Sequence, residues 1–84
     1  MTGQAHEAAR EKAGIAQATL ARKMGRHQSS VQRLERRAHV GPAVSARYFA
    51  ALQECVEEER LIRLRAGRKL VELAKQVAAL AVTA

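Results

Sequence analysis

Residues 17–36 read QATLARKMGRHQSSVQRLER. Leu20 and Met24 lie four apart, so they share one face of a first short helix. Gly25 supplies the positive φ that a sharp turn needs. Val31 and Leu34, three apart, give a second short helix its inward face. Ala21 is small enough to let the two helices cross closely. The other face of the second helix carries Gln28, Ser29, Gln32, Arg33 and Arg36, which are long or hydrogen-bonding and include no acid. The pattern is two short helices hinged at a glycine, one of them presenting a polar, cationic face.

Working outward, a helix is expected from about Gln4 to Ala13, stopped by Gly14. The hinge helices are expected from Ala16 or Gln17 to Met24 and from Gln28 to Arg36. A loop with His39, Val40 and Gly41 follows. Pro42 then suits the first position of a fourth helix, whose buried face is Val44, Tyr48 and Leu52 at four-residue spacing. Beyond Leu52 two readings stand. No Gly or Pro occurs between Ala43 and Ala66, which allows one long helix. The acidic run Glu57, Glu58, Glu59 suits a new helix start, where the dipole stabilises acids, and Gly67 is a second point of interruption. The expected fold is all-α: a compact four- or five-helix domain over residues 1–54, with an additional C-terminal helical extension over residues 55–84.

Composition sets the outer limits. The chain has 84 residues, 48% of them hydrophobic, and only Tyr48 and Phe49 are aromatic. That supports one small aliphatic core and leaves little room for an enclosed pocket. The formal charge is +7, and eleven of the fifteen cations are Arg. Arg suits bidentate contacts to phosphate and guanine. The six cations and one acid between Arg22 and Arg37 put +5 of that charge on the hinge. A polyanionic partner is the reading this clustering favours. Cys55 is the only cysteine, which excludes an intrachain disulfide and fits a reducing compartment. It reads as a small buried hydrophobe. The start shows no apolar leader pattern, and the C-terminal end is too short and too charged for a membrane span. A cytoplasmic protein is expected.

The hinge resembles the helix-turn-helix of the lambda-repressor/Cro-like family, often called the XRE family. The resemblance runs from about Ala9 to Leu52. It rests on Ala21, Gly25, the inward Leu20, Met24, Val31 and Leu34, and the glutamines Gln17 and Gln28. The spacing of Arg10 and Gly14 ahead of the motif, and Leu34–Glu35 closing it, add to it. It implies that the second hinge helix lies in a DNA major groove. Gln28, Ser29, Gln32 and Arg33 would then read bases. Gln17, Arg22, Arg26, His27, Arg36 and Arg37 would contact phosphate. Arg10 and Glu35 would form a structural pair. In this sequence Arg26 stands where the family has an aliphatic residue. Ala16 and His27 stand at helix-cap positions, where a missing cap costs about 1 kcal/mol.

The resemblance also implies a homodimer on two half-sites of double-stranded DNA, and so a transcriptional regulator, with repression the expected sign. Leu70, Leu73, Val77 and Leu80 have the three-four spacing of a helix–helix seam and are the expected dimerisation residues. Two alternatives stand beside this. The same stripe could fold back on the core, or it could bind a toxin or other protein, making the chain an antitoxin-type autoregulator. Charge-driven, sequence-blind binding to nucleic acid or lipid is a further reading. RNA is disfavoured by the lack of an aromatic stacking platform. No enzyme is expected: there is no Asp, and no Ser-His-Asp or Cys-His arrangement. His6, His27, His39 and Cys55 lack metal-ligand spacing, so no metal or cofactor is expected and the histidines read as surface residues.

Overall fold

The computed structural model describes residues 1–83. Four helices follow one another: α1 (Gly3–Lys12), α2 (Gln17–Met24), α3 (Gln28–Glu35) and α4 (Pro42–Thr83). Among the described residues there is no strand, so the chain is all-α. The short helices start and stop where local chemistry directs. Thr2 caps α1 by accepting a hydrogen bond at its hydroxyl from the Ala5 amide, 3.1 Å away. Gly25 ends α2 at φ 68°, the left-handed conformation that costs glycine nothing. Ala16 and His27 precede α2 and α3 without any side-chain cap bond. These two helices are therefore held by packing more than by their ends.

The expected fourth and fifth helices are one. α4 runs unbroken for 42 residues, and the molecule measures 65 × 20 × 17 Å. It is extended, not compact. A straight helix of this length spans about 63 Å, so α4 accounts for the long dimension and bends little. The acids at 57–59 do not start a new helix because no capping residue precedes them and they have partners within the continuous one. Glu58 pairs with Lys23 of α2, and Glu59 pairs with Arg63 one turn on, at 3.7 Å. Gly67 sits inside the helix. Keeping it there costs about 1 kcal/mol. Breaking the helix would forfeit roughly four backbone hydrogen bonds, each worth about 1 kcal/mol net, so continuity wins.

The core lies at one end of the rod. α1, α2 and α3 pack on the first third of α4, burying Ile15, Leu20, Ala21, Val31, Leu34, Val40, Tyr48, Ala51, Leu52 and Cys55. Through Ala81, Cys55 is the last buried position of α4. Burial pushes its thiol pKa up, as for an inert structural cysteine. From Arg60 to Ala81 every residue is exposed, so this segment does not fold back on the core. His6 departs from the surface reading: it is fully buried. Its ring stacks on Phe49 and meets Tyr48 edge-on, both at 4.9 Å. Its Nδ1 donates to the Thr2 carbonyl at 2.7 Å, and Nε2 shares a 2.8 Å hydrogen bond with the Ser45 hydroxyl.

Gly3 marks the tightest approach. Its amide donates to the Arg37 carbonyl at 2.9 Å, fastening α1 to the end of α3. A Cβ there would lie 2.4 Å from the Leu34 carbonyl oxygen and 2.7 Å from the Glu35 carbonyl carbon, all backbone. Gly67 has nothing within 4 Å. Two substitutions of the same kind therefore have opposite signs. Gly3→Ala should destabilise by about 1–3 kcal/mol through overpacking, whereas Gly67→Ala should stabilise α4 by up to about 1 kcal/mol. Denaturant melts of the two variants check this, and equal shifts would contradict the packing described.

Candidate nucleic-acid interface

The site is built on one carboxylate. Glu35, at the end of α3, has a side chain only 1% exposed. Arg10 of α1 grips it in a fork, Nε donating to Oε2 at 2.8 Å and Nη2 to Oε1 at 2.9 Å. The remaining Arg10 Nη1 donates to the Ile15 carbonyl at 2.8 Å, fixing the α1–α2 loop. Gln17 Nε2 of α2 donates to Oε1 at 3.0 Å. Tyr48 of α4 donates to Oε2 at 2.7 Å, and the His6 carbonyl oxygen lies 3.0 Å from the same hydroxyl. All four helices meet at Glu35. No buried side-chain polar atom among the described residues lacks a partner.

This network sets the ionisation of its members. Burial pushes the Glu35 carboxyl up, but the hydrogen bonds from Arg10, Gln17 and Tyr48 outweigh it and hold its pKa below the ordinary value. The hydrogen bond to Glu35 raises Arg10 further, against its own burial. Tyr48 is raised by burial and then by the neighbouring carboxylate. Ion pair and hydrogen bonds thus keep the carboxylate charged inside the protein.

The network orients α3. Val31 and Leu34 face the core, which turns Gln28, Ser29, Gln32 and Arg33 outward, all exposed on one side of the helix. Arg33 Nε reaches back to the Ser29 carbonyl at 3.4 Å. The positions expected to meet phosphate separate into two groups. Arg22, Arg26, His27, Arg36 and Arg37 are exposed around the ends of α2 and α3. Gln17 is half-buried, and its amide is committed to Glu35 on one side and to a long 3.5 Å contact from Gln28 Nε2 on the other. Its side chain thus links the two hinge helices.

Arg47 was not foreseen. It lies on α4, outside the hinge, yet it lines the same recess as Arg26, Arg33 and Arg37, a concavity of about 430 Å³. Nothing in its local sequence sets it apart. Its position follows from where α4 crosses α3. Lys23 leaves the group in the other direction, pairing with Glu58 and lying 4.0 Å from Glu54. The only acid between Arg22 and Arg37 is Glu35, which is buried and matched by Arg10. The exposed face of the hinge is therefore arginine and amide, without an exposed carboxylate.

The remaining expected positions lie far from this face. Leu70, Leu73, Val77 and Leu80 are on the exposed C-terminal part of α4, between 56% and 69% exposed. Among the described residues no group of three or more His, Cys or Glu is placed to hold a metal ion. No helix among them is long and apolar enough to cross a membrane. Comparison with family models, with curated proteins and with solved structures gave no match.

The Glu35 network has a consequence for acid stability. Because the folded carboxyl titrates below its ordinary value, the folded state binds fewer protons than the unfolded one near that value. The contribution is complete above about pH 4.3 and is lost as pH falls through the lowered folded pKa. Glu35→Gln should cost about 3 kcal/mol at neutral pH, since it leaves the Arg10 charge without its partner. It should also flatten the loss of stability below that pH. Urea melts at pH 7 and at pH 3.5 check both, and parallel pH profiles for the two proteins would contradict the assignment.

Proposed function

We propose that this protein is a sequence-specific double-stranded-DNA-binding transcriptional regulator, a repressor acting as a homodimer. The observation that carries the reading is the exposed face of α3, where amides and an arginine stand clear of any exposed acid. An α-helix fits the major groove of B-DNA, and Gln and Arg there make bidentate contacts to adenine and guanine edges. Gln28, Ser29, Gln32 and Arg33 are the base-reading set. Arg22, Arg26, His27, Arg36 and Arg37, with Arg47 added, contact the phosphates that fix register and orientation. Gln17 acts through its side-chain links to Glu35 and Gln28, and through its backbone N–H at the start of α2. The likeness to the lambda-repressor/Cro-like helix-turn-helix supports the same reading.

The second reading is an autoregulator whose C-terminal helix binds another protein, such as a toxin. The exposed apolar side chains of α4 beyond Cys55 favour it over a bare DNA-binding head. Both readings keep the α3 face as the DNA contact.

The test is selection of duplexes from a random pool, followed by fluorescence anisotropy at physiological salt. The selected site should bind about 10³-fold or more tightly than a scrambled duplex. Gln28→Ala should remove about 1–3 kcal/mol of that preference. Arg47→Ala should weaken both duplexes alike and lower the salt slope by about one. Equal binding to both duplexes, unmoved by Gln28→Ala, would leave only a charge-driven association and overturn sequence-specific readout.

A further inference from the structure

The apolar line on the exposed part of α4 is a continuation of its buried face. Val44, Tyr48, Ala51, Leu52 and Cys55 face the core or lie at its edge. Beyond them Ile62, Ala66, Leu70, Leu73 and Val77 follow at three- and four-residue steps, with Leu80 on the same line. At 3.6 residues per turn, Val44 and Leu80 are ten whole turns apart and point the same way. One face of one straight helix is therefore covered by α1–α3 as far as Cys55 and left exposed from Ile62 onward. The head and the exposed line lie on the same side of the rod.

We infer that this line pairs with the same line of a second copy, and that the two helices run antiparallel. This deepens the homodimer reading above and rests on it. Sterics select the direction. A parallel partner would have to lay its residues 42–55 where the first copy's α1–α3 already sit, and its own head would enter the same space. An antiparallel partner puts the two heads at opposite ends. With Leu70 of one copy against Leu73 of the other, Ala66 meets Val77 and Ile62 comes level with Ala81, so the overlap stops short of both heads.

Charge selects the same direction. Residues 60–69 hold Arg60, Arg63, Arg65, Arg68 and Lys69 and no acid. A parallel pair would set these two runs side by side, within a Debye length along their whole course. The antiparallel pair sets each run against residues 74–83 of the other copy, where Lys75 is the only charge. It also brings Lys69 of each copy alongside Glu72 of the other, two attractions related by the two-fold axis. In the antiparallel dimer the α3 faces, level with Val44 and Arg47, stand about 78 Å apart at 1.5 Å per residue. That is nearer to two turns of B-DNA than to one.

The experiment is a spin-label distance measurement on the full chain without DNA, using Glu57→Cys in a Cys55→Ala background. Sedimentation equilibrium establishes the dimer. Glu57 is exposed, on the side of α4 away from the line. The antiparallel dimer predicts a label separation of about 50 Å, and a parallel one about 25 Å or less. Leu73→Arg, at the centre of the overlap, should return the protein to monomer with unchanged helical content. A short distance, a persistent monomer, or a selected operator with half-sites one turn apart would each overturn the antiparallel pairing. DNA affinity of the monomeric variant for a single half-site is read separately, so the α3 reading can stand or fall by itself.

Discussion

The fold depends on a charged carboxylate held inside a small protein. An ionised Glu35 is costly to bury and is tolerated only because its oxygens are filled by Arg10, Gln17 and Tyr48. Those partners come from α1, α2 and α4. The carboxylate therefore does what a larger apolar core does elsewhere, by fixing four helices at one point. The two central helices are eight residues each and lack side-chain caps, so neither would persist alone. Their orientation comes from Glu35, from the apolar contacts of Leu20, Val31 and Leu34, and from the left-handed turn at Gly25.

The same burial shapes the surface. An exposed carboxylate among five or six arginines would cancel part of their field and repel a polyanion at close range. Glu35 is instead internal and matched by Arg10. Lys23 is drawn to the glutamates of α4 on another side of the head. What is left around α3 is a single-sign face, with Gln28, Ser29 and Gln32 set among arginines. The residues of α3 thus divide cleanly: inward residues and Glu35 hold the helix, and the outward ones are exposed.

Much of the head could be read from the sequence, because its signals are local. Gly25 and Gly14 announce turns, Pro42 announces a helix start, and the spacing of Leu20, Met24, Val31 and Leu34 gives the inward faces. Four features could not be read, or only in part. Arg47 joins the cationic recess only through the crossing of α4 over α3, a tertiary fact. His6 looks like any polar residue on a short helix, and its burial depends on Phe49 and Tyr48 arriving from α4. The continuity of α4 was undecided because residues 57–59 carry a genuine helix-start signal. Their ion pairs with Lys23 and Arg63 remove the reason for a break. The apolar line beyond Ile62 was seen only in its last four members, since its alignment with the buried face requires one uninterrupted helix.

The central proposal is that the outward face of α3 is where this protein meets nucleic acid. Amide chemical-shift mapping during titration with a selected duplex tests it most directly. The account predicts that the largest changes fall on residues 26–37 and Arg47, with those at 62–80 unmoved when protein starts as a dimer. Changes spread evenly over all exposed cations, or centred on the arginines of residues 60–68, would contradict it.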